Sequence, residues 1–285
     1  ENEGERDFDI GAHAEIDVQA YEDLLPFQWP LRQDGSSAAR FFADGGFFTA
    51  DRKAHLVPVA VPAVEEADLR HPFTLNTGRI RDHWHTMTRT GKSARLSAHI
   101  AEPFCEIHPA DAEKAGIGDA DLVNVKGANG RAIIVRALLT ERQMRGALFV
   151  PMHWTGETAP SARVDTLVSS RVDPISGQPA LKMARVSATR YSAQAHGFLV
   201  ARTRPLDLPF AYWAIAKTDC GYRLEFAGDQ PSDGWETWLR RSFELGEQHE
   251  FSGYIDRQGG DHRLLAFEGT KLQAALFVSS GPVSV

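Results

Sequence analysis

Between His71 and Thr189 the chain alternates short apolar runs with turn signals, and this rhythm restricts the fold more than any other feature. Leu122-Val123-Asn124-Val125, then Asn129-Gly130, then Ala132-Ile133-Ile134-Val135 is the strongest hairpin signal, because Asn-Gly accepts the backbone of a tight turn. Phe73 to Leu75, Phe104 to Ile107, Ala147 to Val150 ending at Pro151, and Met183 to Thr189 read as further short strands. Pro109 to Ala115 predicts a brief helix, with proline at an early helical position and Gly116 just past its end. Some six strands and a few small helices in this stretch predict a mainly β barrel.

The flanks differ in texture. Residues 1–70 are irregular, with a short helix expected near Val18 to Leu25, then the proline-interrupted Pro26-Phe27-Gln28-Trp29-Pro30. The aromatic pairs of Phe41-Phe42-Ala43-Asp44-Gly45-Gly46-Phe47-Phe48 suit an arm packed on a neighbouring core. Ala195 to Gly197 is the expected boundary between the barrel, 71–195, and a small α+β unit, 196–285. That unit should hold an amphipathic helix from Trp235 to Leu245 and three antiparallel strands near Phe251–Asp256, Arg263–Phe267 and Ala274–Val278.

Charge narrows the function. The chain has 38 acidic and 31 basic residues, for a net charge of −7, which disfavours a surface that coats nucleic acid. No apolar run approaches the ~20 residues of a membrane helix. Two cysteines, Cys105 and Cys220, carry no disulfide framework and no cysteine-rich metal motif, a usage that suits a reducing cytoplasm. Cys105, beside Phe104 and Ile107, reads as a small core residue. Glu1 to Asp7 have neither an initiating Met nor an apolar signal core and read as the inside of a longer protein.

Against this acidic background, Thr77 to Arg95 carries five Lys/Arg and one Asp. A local reversal of sign directly after a strand points to a bound anion. Thr77 and Gly78 can present a hydroxyl and backbone N–H groups to a phosphate, and Arg79 and Arg81 forked donors. Trp84 offers an aromatic face, while His83, His85 and Thr86 supply orienting polar groups. Two other readings stay open: a solvated loop with incidental arginines, or a metal held by His83 and His85 with His99 or His108. His153, at the end of the Val150-Pro151-Met152-His153-Trp154 run, is either a ring-stacking group or a hydrogen-bonded edge residue. Arg163, Asp165 and Lys182 flank apolar stretches and are either ligand contacts or solvated charges. No nucleophile elbow, Walker loop, dinucleotide-fold glycine fingerprint or His-Glu-x-x-His motif is present, so no catalytic residue is assigned.

Taken in order, Leu75 to Thr90, Glu102 to Ala112, Val150 to Trp154 and Asp173-Pro174-Ile175-Ser176-Gly177-Gln178-Pro179 resemble the C-terminal molybdopterin-dinucleotide-binding domain of assimilatory nitrate reductases, within the DMSO reductase-type molybdenum family. Gln28-Trp29-Pro30 and Phe41 to Phe47 look like the segment leading into that domain, and Gly197 to Pro282 like the extension after it. The resemblance implies a double-psi β-barrel holding one arm of a molybdenum bis(molybdopterin guanine dinucleotide) cofactor. It places Thr77, Gly78, Arg79, Arg81, His83, Trp84, His85 and Thr86 around the pterin and phosphate portions, with His153, Asp165 and Lys182 lining the dinucleotide or its approach. Asp165 departs from the family's usual Asn, and a carboxylate accepts where an amide also donates. The implied reaction is two-electron reduction of nitrate to nitrite in a cytoplasmic enzyme. The implied partners are N-terminal domains of the same enzyme, which carry the molybdenum ligand and an iron–sulfur cluster. Formate dehydrogenase or a non-redox nucleotide-binding barrel are the alternatives.

Overall fold

The computed structural model describes residues 9–37, 39–58, 68–256 and 259–282, so the Glu1–Asp7 lead lies outside the described residues. The chain divides into two compact units, residues 1–63 and 64–285. In the first, helix α1 (Val18–Glu22) is capped by Asp17, whose carboxylate accepts the N–H of Ala20 at 2.8 Å. It is shorter than expected because Asp23, Leu24 and Leu25 do not continue the helix before Pro26. The aromatics of this unit pack on one another: Phe42 stacks on Phe47 at 4.7 Å and meets Phe48 edge-on at 5.6 Å.

The second unit begins with the closed barrel that the strand rhythm predicts. Its strands are β1 (Phe73–Gly78), β2 (Phe104–Ile107), β3 (Leu122–Gly127), β4 (Ala132–Leu139), β5 (Ala147–Pro151) and β6 (Ala184–Arg190). Around the barrel they run β1-β5-β2-β4-β3-β6. Two pairs, β1 with β5 and β2 with β4, are parallel, and the remaining pairs are antiparallel. Alternation along β1 turns Phe73, Leu75 and Thr77 inward, where they join Val123, Val125, Ile133, Val135, Leu148 and Val150 in the core. Cys105 belongs to the same core, and burial pushes its thiol up to about 12, which leaves it inert.

Two short helices join the strands, α2 (Ala94–Ser97) and α3 (Pro109–Ala115). Helix α3 has the predicted bounds: His108 Nδ1 accepts the N–H of Ala110 at 3.1 Å, Pro109 opens the helix, and Gly116 at φ +65° ends it.

The remainder is a six-stranded antiparallel sheet of β7 (Ala195–Ala201), β8 (Tyr212–Thr218), β9 (Gly221–Gly228), β10 (Glu250–Asp256), β11 (Asp261–Glu268) and β12 (Lys271–Ser279), with α4 (Trp235–Ser242) between β9 and β10. Its order is β10-β11-β12-β7-β9-β8, so Ala195 to Gly197, read above as a boundary, open a central strand. Gly197 is required there: opposite Phe226 in the register, any side-chain carbon would fall within 1.9 Å of that ring. Trp235, Trp238 and Leu239 of α4 share a core with Leu224, Phe226, Leu264 and Leu276. The helix stops at Ser242, short of the expected Leu245, because Glu244 turns left-handed at φ +53°; Phe243 and Leu245 are buried all the same.

Barrel and sheet meet along a polar seam. Arg136 on β4 forks onto Glu102 through Nε and Nη2 at 3.1 and 3.0 Å, and Tyr212 on β8 donates its hydroxyl to the same carboxylate at 2.5 Å. Burial works against the Arg136 charge, but Glu102, Tyr212 and Glu225 together outweigh it and the guanidinium is held more firmly charged. Beside them on β9, Glu225 accepts from Arg223 at 2.6 and 3.1 Å, and burial followed by the Glu102 charge raises its carboxyl to about 7.

Candidate functional site

The parallel pairing of β1 and β5 sets Thr77 beside Val150 and Gly78 beside Pro151, so both chains leave the barrel at one mouth. Met152 extends the contact by donating its N–H to the carbonyl of Gly78 at 2.9 Å. The segment from Arg79 to Lys92 therefore forms the rim above β1, with the Met152-His153-Trp154 run directly beside it.

Three features of that mouth suit a polar ligand. Thr77 is buried, yet its hydroxyl has no hydrogen-bond partner. Gly78 lets the backbone pass close to its neighbours: a side-chain carbon there would crowd Phe149 at 3.2 Å and come within 3.8 Å of Lys182 Nζ. Arg79 lies over the Trp84 ring at 5.0 Å, and Trp84 meets His85 edge-on at 4.5 Å, which gathers a cation, an indole and an imidazole on the exposed rim. Thr86 continues the rim and shares a hydrogen bond with Thr88 at 3.1 Å.

Arg81 has different company. It forks onto Asp82 at 2.9 and 3.0 Å, and His99 Nδ1 reaches the other side of that carboxylate at 2.6 Å. The Arg81 guanidinium beside Asp82 holds its carboxyl below the usual range. Asn76, Arg79, Arg81, His99 and Gln143 together line a cavity of about 420 Å³ beside the mouth. Asn76 was legible in principle, since alternation along β1 turns it outward next to Thr77; Gln143 lies in a turn with no comparable signal.

Two histidines of the motif point inward. His83 is buried, with Nδ1 at 3.4 Å from the Thr90 hydroxyl and Nε2 at 3.5 Å from the Ile100 carbonyl. Its ring lies 5.7 Å from both His153 and Trp154, and burial lowers its pKa. His153 is fully buried: its Nε2 accepts the N–H of Ile80 at 2.9 Å and its Nδ1 faces the carbonyl of His85 at 2.7 Å. Of the two readings open to His153, the hydrogen-bonded one describes its contacts. The metal reading does not assemble, because His83 and His85 face opposite ways and His108 caps α3. Among the described residues no three metal-ligating side chains converge.

Lys182, just before β6, is brought to Gly78. Asp165 is not joined to the rim by any hydrogen bond or ion pair. It lies exposed on the 3-10 turn Val164–Leu167, which is tied to the β3–β4 hairpin by Asn129 Nδ2 donating to the Thr166 carbonyl at 3.0 Å. Arg163 precedes it and is likewise exposed.

A family model described as molydopterin dinucleotide binding domain matches residues 73–185, which run from the first residue of β1 into β6. A nitrate reductase of Klebsiella oxytoca is 37% identical over 244 residues, covering 85% of this chain and 28% of that protein. The assimilatory nitrate reductase catalytic subunit of Bacillus subtilis is 35% identical over 162 residues, 55% of this chain and 22% of its own. An F420-dependent formate dehydrogenase subunit alpha of Methanocaldococcus jannaschii is 33% identical over 163 residues, 57% of this chain and 23% of its own. The chain thus spans about a quarter of the length of these relatives. Residues 73–185, which carry the barrel, are thus similar to the molydopterin dinucleotide binding domain.

Proposed function

We propose that this chain is the cofactor-holding C-terminal portion of a cytoplasmic molybdenum nitrate reductase, with the barrel mouth gripping one dinucleotide arm of a bis(molybdopterin guanine dinucleotide) centre. The observation that carries this reading is the mouth itself: a buried, unpartnered Thr77 hydroxyl, followed by Gly78 close to Lys182, stands beside a rim bearing Arg79, Trp84 and His85. These donors fit a phosphate-bearing bicyclic ring. Thr77 and the Gly78 backbone would hold the phosphate, and Arg79 and Lys182 would neutralise it. Trp84 and His85 would flank the ring system. Asp165 would offer an acceptor at the approach to the dinucleotide. When bound, the molybdenum cofactor supplies the two-electron oxygen-transfer chemistry, and this chain binds and orients it.

The length shared with nitrate reductases favours nitrate as substrate, and it reaches 85% of the chain for the Klebsiella oxytoca enzyme. The metal ligand and an iron–sulfur cluster would then belong to N-terminal domains of the same enzyme, which with an electron donor are the partners of this chain. No helix among the described residues is long and apolar enough to cross a membrane, in keeping with a cytoplasmic setting. The formate dehydrogenase similarity, at 57% of the chain, supports a second reading in which the same mouth serves formate oxidation. Purified full-length enzyme assayed with reduced dye and nitrate, and with oxidised dye and formate, separates them. Nitrate turnover is expected; exclusive formate oxidation would sink the nitrate reading.

A further inference from the structure

We propose that His153 is a positioning residue. It holds the course of the Ile80–His85 rim through one fixed tautomer and does not itself touch the cofactor. The inference rests on the cofactor role proposed above for that rim.

The argument starts from hydrogen-bond inventory. A neutral imidazole offers one donor and one acceptor. His153 uses both on backbone atoms far away in sequence: Nε2 receives the Ile80 N–H, so it must be bare, and Nδ1 faces a carbonyl, so it must carry the proton. Only the neutral ring protonated at Nδ1 satisfies both contacts, and with no exposed surface it has no further contact to offer a ligand. Burial lowers the pKa of His153 despite the His85 carbonyl, and the charges of His83, Arg79 and His85 nearby lower it further. Trp154, the remaining ring nearby, adds no charge.

The contact matters because the rim is strained where His153 grips it. His85 sits at φ +45° and Met87 at φ +60°, left-handed conformations that residues with a side chain adopt only at a cost. Turning the His85 carbonyl inward to His153 leaves the His85 ring exposed, against Trp84, which in turn lies under Arg79. A single buried ring thereby fixes how the three exposed groups stand toward one another.

The test uses the full-length enzyme and follows release of molybdenum and pterin on dialysis between pH 8 and 5, with Arg79→Ala beside His153→Phe and His153→Gln. Glutamine keeps one acceptor and one donor but does not titrate. The expected results are at least tenfold faster release from His153→Phe and release within about twofold of wild type from His153→Gln at pH 8. Acidification should hasten release from the wild type and do so less from the glutamine variant. Equal, fast release from the Phe and Gln variants at pH 8 would mean that the ring touches the cofactor, overturning the positioning role. Wild-type release from His153→Phe would overturn it too, as would an unchanged acid response in His153→Gln if the Phe variant fails to fold. If Arg79→Ala alone retains cofactor like wild type, it is the rim reading that fails.

Discussion

The barrel mouth and the barrel–sheet seam are both buried polar clusters, but they are built on opposite rules. At the seam, side chains meet side chains: Glu102, Arg136, Tyr212, Glu225 and Arg223 satisfy one another. At the mouth, neutral histidines bind backbone, and the buried Thr77 hydroxyl has no hydrogen-bonding partner among the described residues, while Arg79 on the exposed rim meets the Trp84 face. A cluster that closes on itself holds two layers of the fold together. A cluster left open on one side is arranged for something that arrives from outside.

The sharpest way to break this contrast is to remove one member of the seam. Glu102→Ala strands the Arg136 guanidinium in a largely buried site and should destabilise the protein by about 3 kcal/mol in urea unfolding. Replacing Glu102 and Arg136 together by methionine should recover much of that loss, since the cost lies in the unpaired charge. If the single and double replacements are equally damaging, packing rather than pairing holds the seam.

The two clusters should also respond to pH with opposite signs. Glu225 has its carboxyl raised from 4.5 to about 7, so its contribution is fully present below about pH 4.5 and is lost as pH rises through about 7. His83 and His153 are lowered from 6.5, so their contribution is present above that value and is lost as the pH falls below it. Melting curves of Glu225→Gln should lose the decline on the alkaline side, and those of His153→Gln should soften the decline on the acid side. An alkaline decline that survives Glu225→Gln would assign it to another group.

Much of the fold was legible because its signals are local. Asn129-Gly130 dictates the β3–β4 hairpin, and Pro109 with Gly116 brackets α3 to the residue. What escaped depends on residues distant in the chain or on backbone choices without a glycine to mark them. The left-handed turn at Glu244 shortens α4, and nothing in the composition of Phe243-Glu244-Leu245 announces it. The seam draws on Glu102, Arg136, Tyr212 and Glu225, which only the fold brings together. At the mouth, a positive island directly after a strand identifies the segment, but it does not distinguish the inward His83 from the outward His85, because their facing is set by contacts with His153 and Trp154.

Stability is the wrong readout for the rim. Arg79 is exposed and meets only the Trp84 face, so Arg79→Ala should change the unfolding free energy by no more than about 0.5 kcal/mol. A larger loss would place the rim among the structural elements and weaken its contrast with the seam. The central claim is that the rim serves a ligand, and the most direct measurement is the molybdenum and guanine nucleotide content of full-length enzyme carrying Arg79→Ala, beside Arg263→Ala, exposed on β11 of the sheet. The account predicts a loss of at least tenfold for the first and a content near wild type for the second; equal content in both would contradict it.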